Sequence, residues 1–192
     1  MTPRKCHIAL GANLPGPGGA PERTLMMAVE HLRRHDFRLL SLSRLFRSPA
    51  FPAGSGPDFV NAVAAFSTPL PPSAIVARLH ACERALGRMR LSRWGPRTVD
   101  LDLLAVERSI RPDVPSLARW MRLPPSAQRR LTPRRLILPH PRMQDRGFVL
   151  LPMAETAPDW RHPVLGLTVR QMLAARPPGE LAAIVPIDGG FP

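Results

Sequence analysis

Apolar and polar positions alternate along some stretches of the chain and recur at helical spacing along others, and the order of these stretches predicts its architecture. Residues 5–10 form a short apolar run that ends in 11–19, a segment too rich in Gly and Pro to be regular. Pro21 suits a first helical turn, and Leu25, Val29 and Leu32 continue at helical spacing to about His35. Over 39–46, Leu40, Leu42 and Phe46 alternate with Ser41 and Ser43, which predicts a strand whose pattern Arg44 and Leu45 blur. After the breaker-rich stretch 48–57, residues 58–66 alternate again and put Phe59, Asn61 and Val63 on one face. Ile75, Leu79, Cys82 and Leu86 mark one stripe of a second helix, opened by 71–73 and stopped by Gly87. A strand over 98–106 then puts Asp100 and Asp102 on one face, with Cα atoms about 6.6 Å apart, and Val99, Leu101 and Leu103 on the other.

Strand, helix, strand, strand, helix, strand is the split βαβ order of ferredoxin-like α+β domains, with an antiparallel sheet and helices against it. From 107 to 134 the pattern dissolves into arginines interleaved with prolines, Asp113 being the one carboxylate after Glu107 that offsets them. That stretch reads as an insertion on the surface or a partly disordered flap, with a short helix over 116–121 around Trp120. Residues 135–141 read as extended, 146–157 as a helix and 168–175 as another. A length of 192 residues fits a single domain, taken here as 1–176 followed by a tail, 177–192.

The net charge of +13 favours polyanionic partners: nucleotides, nucleic acid or a membrane surface. No apolar run approaches the roughly 20 residues of a spanning helix, and the run after Arg4 and Lys5 is too short for a signal-peptide core, so a cytoplasmic location is expected. The positive charge is nearly all arginine, which compositional bias alone could produce. A nucleic-acid-binding module is the alternative from another class, but the chain carries no such motif and its arginines are scattered. Cys6 and Cys82 are too few and too distant for a metal knuckle and read as buried small residues.

The candidate chemistry concentrates in 93–102, where a basic Trp-Gly-Pro turn runs into a strand bearing two carboxylates. Two same-facing carboxylates can share hard cations, because Mg²⁺ accepts one or two of them and completes its shell with water and phosphate oxygens. A bare Asp-x-Asp is also what the wet face of a strand looks like, and the flanking arginines are what favour the phosphate reading. Asn61 lies between apolar neighbours on its face and needs hydrogen-bond partners, which backbone or the edge of a heterocycle could supply. His80 and Glu83 share a helix face, a spacing that a surface contact explains as well as a site.

With RWGPRTVDLDL at 93–103, LPHP at 138–141 and DRGFVL at 145–150 in order, the chain resembles 6-hydroxymethyl-7,8-dihydropterin pyrophosphokinase of folate biosynthesis over roughly 8–173. The resemblance implies a ferredoxin-like αβα sandwich that moves pyrophosphate from ATP to the hydroxymethyl group of a dihydropterin and releases AMP. It implies two Mg²⁺ ions on Asp100 and Asp102, with Arg88 and Arg97 closing over the phosphates. It implies a pterin pocket of Ser48, Pro49, Phe59, Asn61, Trp94 and Phe148. The ATP contacts it implies are Glu83, Arg90, Arg93, Leu103, Arg135, Ile137, His140 and Arg146. Arg suits phosphate because its planar fork grips two oxygens at once. A monomer with small-molecule partners, and no specific nucleic acid or membrane, is expected. The chain departs from the family pattern at Ala12, Phe59, Pro141 and His80, where Ser, Tyr, Tyr and Gln are common. A different Mg²⁺-dependent transferase would share Asp-x-Asp but leaves Phe59, Asn61 and Phe148 unexplained.

Overall fold

The computed structural model describes residues 2–50, 54, 56–87 and 97–188. Its frame is the sheet formed by β1 (Arg4–Ala12), β2 (Arg38–Leu42), β3 (Phe46–Ser48), β4 (Phe59–Thr68), β5 (Asp100–Val106) and β6 (Val185–Pro186). The strand order is β5-β1-β4-β3-β6, with β2 also paired to β4, and every pairing is antiparallel. β2 and β3 lie end to end on one flank of β4, so the strand expected over 39–46 is split. The break falls at Ser43–Leu45, where the Ser43 hydroxyl accepts from Val63 N–H at 3.0 Å and does the work of a ladder bond.

α1 (Pro21–Arg33) and α2 (Pro72–Ala85) cover one face. Both start with Pro in the first turn, where its missing N–H costs nothing, and α1 carries Glu22 at its start and Arg33 at its end, complementing the helix dipole. Cys6, Ile8, Leu10 and Ala12 of β1 point into this layer and pack with Leu25, Val29, Leu32, Ile75 and Leu79. Both cysteines are buried and free, and burial raises their thiol pKa values to about 12, as inert core residues.

α5 (Gly147–Thr156) and α6 (Val169–Ala174) cover the other face around Val63, Leu104, Met143, Leu150 and Met153. The result is an αβα sandwich with a core on each side of the sheet. β4 is buried on both faces, which is why its sequence is almost unbroken in apolar residues.

Within residues 107–134 the helix expected over 116–121 forms as α3 (Val114–Met121), and a second, unexpected one follows as α4 (Pro125–Arg130). Asp113 caps α3 by accepting from Ser116 N–H at 2.8 Å, and Leu117 is fully buried. Residues 135–141 form no strand; a bridge between Arg111 and Leu138 is the regular pairing they make. The tail also joins the fold, through α7 (Pro178–Ala182) and β6.

Candidate functional site

Register decides what meets at the carboxyl end of β1. Gly11 lies opposite Asn61 on β4 and opposite Asp100 on β5, and Ala9 lies opposite Val63 and Asp102. Directly opposed residues share a face, so Asn61, Gly11 and Asp100 form one row across three strands, about 10 Å from end to end by strand spacing. The row faces the α5 side, and its middle position has no side chain. A Cβ on Gly11 would stand 3.6 Å from Asn61 Oδ1, so anything larger would fill the gap between the amide and the carboxylate.

Asn61 is 5% exposed. Its Nδ2 donates to Ser48 Oγ at 2.9 Å and to Phe59 carbonyl oxygen at 3.4 Å, which fixes the amide orientation and leaves Oδ1 turned toward Gly11 as an acceptor. Ser48 is buried and Pro49 exposed. Phe59 is half-buried, whereas the Phe148 ring is 36% exposed and lies under the Arg146 guanidinium, 5.6 Å from its ring centroid.

At the other end of the row the two carboxylates are each matched by an arginine. Arg97 forms a close ion pair with Asp100, and Arg146 Nη1 stands 3.9 Å from Asp102 Oδ2. Burial lowers the Arg146 pKa below its ordinary value, while Asp102 and Asp100 pull it back up, so the guanidinium stays charged. His140 is held at the same place by its backbone N–H, which donates to Leu104 carbonyl oxygen at 2.7 Å. Burial, then Arg146 and Arg142, push its pKa down to about 3, so it is neutral at pH 7. Its Nδ1 accepts from Arg142 N–H at 3.2 Å, which leaves the proton on Nε2, ready to donate.

Several of the residues expected to contact ATP lie in surroundings of another kind. Glu83 is 2% exposed, and its Oε1 accepts from Leu101 N–H at 2.8 Å, so it supports the backbone between the two aspartates from the α2 side. Leu103 packs in the core under α1 and α2, because its parity on β5 is opposite to that of the aspartates, and Ile137 is buried too. Arg135 is exposed, and its charge acts on Asp113 at the start of α3. Arg88, Arg90, Arg93 and Trp94 lie outside the described residues.

Asn13 is the residue the sequence reading passed over. It is 4% exposed, and its Oδ1 accepts from Arg97 N–H at 2.7 Å while its Nδ2 donates to Pro57 carbonyl oxygen at 3.0 Å. It thereby stitches the loop after β1 to the approaches of both β4 and β5. An Asn just past a strand, inside a Gly-Pro-rich loop, was the available signal.

The chain matches the family model for 7,8-dihydro-6-hydroxymethylpterin-pyrophosphokinase over residues 7–158. It is 35% identical over 180 residues to a 2-amino-4-hydroxy-6-hydroxymethyldihydropteridine pyrophosphokinase of Synechocystis sp., covering 89% of this chain and 77% of that one. A protein of the same name from Pseudomonas aeruginosa is 36% identical over 175 residues, covering 91% and 93%. Among solved structures, the Plasmodium falciparum HPPK-DHPS wild type superposes with a TM-score of 0.62 at 13% identity. That match covers 90% of this chain and 41% of the larger one, and at such identity it speaks for the fold alone.

Proposed function

This chain belongs to the 7,8-dihydro-6-hydroxymethylpterin-pyrophosphokinase family, and we propose that it transfers the pyrophosphoryl group of ATP to the hydroxymethyl group of 6-hydroxymethyl-7,8-dihydropterin, releasing AMP, in folate biosynthesis. The observation that carries the site assignment is the Asn61–Gly11–Asp100 row. It sets an amide that can read a ring edge about two strand spacings from a carboxylate that can organise phosphates, with nothing but a glycine between.

Asn61 Oδ1 accepts an N–H from the pterin edge, and Phe148 and Phe59 offer ring faces to the bicycle. The buried Asn61–Ser48 contact keeps the amide from rotating when the ligand leaves. On the phosphate side, Asp100 and Asp102 fit hard cations: they share a face, their side chains are 21% and 44% exposed, and small residues stand opposite both. This pair would hold two Mg²⁺ ions with water and phosphate oxygens completing the shells. Bound there, the ions supply charge neutralisation to the triphosphate. Arg97 and Arg146 add fixed positive charge beside it, and neutral His140 donates through Nε2. Phosphoryl-group transfer asks little covalent chemistry of the protein; positioning and charge stabilisation carry it.

The test is product analysis. Purified protein with ATP, Mg²⁺ and the hydroxymethyl-dihydropterin is expected to form AMP and the pterin diphosphate in equal amounts; formation of ADP, or no turnover, overturns the proposal.

A further inference from the structure

α5 begins without a cap of its own. Its N-cap residue, Arg146, supplies no side-chain hydrogen bond, and the first turn contains no acidic residue. The missing acceptor comes from far along the chain: Glu180 Oε1 accepts from Gly147 N–H at 2.6 Å. Arg176 holds that carboxylate in place, donating to Oε2 from Nε at 3.0 Å and from Nη2 at 2.7 Å. A carboxylate at a helix N-terminus satisfies an orphan donor and complements the helix dipole.

The fit around Gly147 is close. A Cβ there would come within 2.7 Å of Glu180 Oε1, 3.0 Å of Ile184 Cδ1 and 3.1 Å of Leu181 Cδ2, so α7 is seated directly on the start of α5. The two neighbours of Gly147 are Arg146, which reaches Asp102, and Phe148, whose ring is exposed. From α7 the chain continues into β6, where Arg47 pairs with Val185 and Phe46 with Pro186, and Ile187 N–H donates to Leu45 carbonyl oxygen at 2.9 Å. β3 in turn pairs with the start of β4 and brings Ser48 to Asn61. Residues 176–187 therefore connect the helix end that presents Phe148 with the strand that orients Asn61.

We propose that Glu180 is a positioning residue for pterin binding: with Arg176 it caps α5 from the C-terminal segment and sets where Phe148 and Arg146 stand relative to Asn61. The proposal rests on the reading of the site given above, and it lies beyond residues 7–158, the part that the family model matches. Glu180 touches neither substrate; it acts through the Gly147 N–H.

Dihydropterin affinity, measured by equilibrium titration of the full chain in the presence of a non-hydrolysable ATP analogue and Mg²⁺, tests it. Glu180→Ala is expected to raise the pterin Kd about tenfold, with ATP-analogue affinity within about twofold. Glu180→Gln keeps an oxygen acceptor for Gly147 and is expected to recover most of that loss, about threefold from wild type. Glu155→Ala is the control: Glu155 sits near the other end of α5 and accepts from Arg44 at 2.8 Å, so its removal loosens the same helix away from the site. It is expected to lower the melting temperature and leave pterin Kd unchanged. Wild-type pterin affinity in Glu180→Ala, or equal weakening in Glu155→Ala, overturns the positioning role. Wild-type protein that neither binds the dihydropterin nor makes AMP overturns the site reading itself, and this proposal with it.

Discussion

The carboxylate core of the proposed phosphate half lies on one short stretch of chain, with Arg146 and His140 joining it from further along: Asp100 and Asp102 are two residues apart on β5, and Arg97 pairs with Asp100 from three residues before it. The proposed pterin half is gathered from three elements, with Ser48 on β3, Phe59 and Asn61 on β4, and Phe148 on α5, a hundred positions beyond Ser48. Strand geometry alone holds the two aspartates together, since i and i+2 share a face wherever the strand forms. Packing and register between elements hold the pterin half. The first half should therefore respond to loss of its own charges and little else, whereas the second should respond to changes in what lies between and beneath its members.

The largest effect expected from this contrast is in the first half. Asp100→Ala and Asp102→Ala should each lower the AMP-forming rate about a thousandfold or more while the circular dichroism spectrum is retained. A rate within tenfold of wild type in either variant would remove that carboxylate from the metal assignment. In the second half, Asn61→Ala is expected to weaken dihydropterin binding about thirtyfold, and Gly11→Val about tenfold by filling the gap between Asn61 and Asp100. ATP binding should be nearly unchanged by Asn61→Ala, and equal losses for both substrates would merge the two halves into one.

A smaller effect separates support from contact. Glu83→Ala leaves the buried Leu101 N–H without its acceptor and is expected to cost about 1–3 kcal/mol of stability, read by denaturant unfolding. If Glu83 only supports β5, Glu83→Gln should restore both stability and ATP affinity; a persistent loss of ATP affinity alone would return Glu83 to the nucleotide site.

A last effect concerns neither half. His7 and His162 are buried at 1% and 0% exposure, and desolvation lowers both pKa values to about 4. Unfolded, each takes up a proton near pH 6.5, so their contribution to stability is complete above that value and is lost as pH falls toward 4. The melting temperature should drop by about 5 °C or more between pH 7 and pH 4.5, and His7→Gln should flatten that slope. A flat profile in wild type would show that the two imidazoles are hydrated rather than dry.

How much of this was legible in the sequence follows the same division. β1, β4, β5, α1 and α2 are long enough for their periodicity to show, and Asp-x-Asp announced its shared face without help from the rest of the fold. The break between β2 and β3 depends on the Ser43 hydroxyl reaching Val63, which no alternation reveals. α3 was legible as the helix expected over 116–121, whereas α4, α7 and β6 are too short for a period to show. The family motif marked Glu83 but could not tell that its carboxylate turns to the backbone, because on a helix three or four residues share a face whether that face meets ligand or strand. Asn61 could be read as polar on an apolar face, but the use of Gly11 as a gap needed the register of three strands.

β5 carries one irregularity: Ile8 pairs with Leu103 and His7 with Ala105, so Leu104 is an extra residue in the ladder. Beyond this bulge the strand is almost wholly apolar, and a slip there would exchange one aliphatic side chain for another at little cost. Before it, a slip by one residue would drive Asp100 and Asp102 under α1 and α2, among Leu10, Leu25 and Leu79, where unpaired carboxylates are not tolerated. The two aspartates thus penalise misaligned pairings of β1 with β5, whether or not substrate is present.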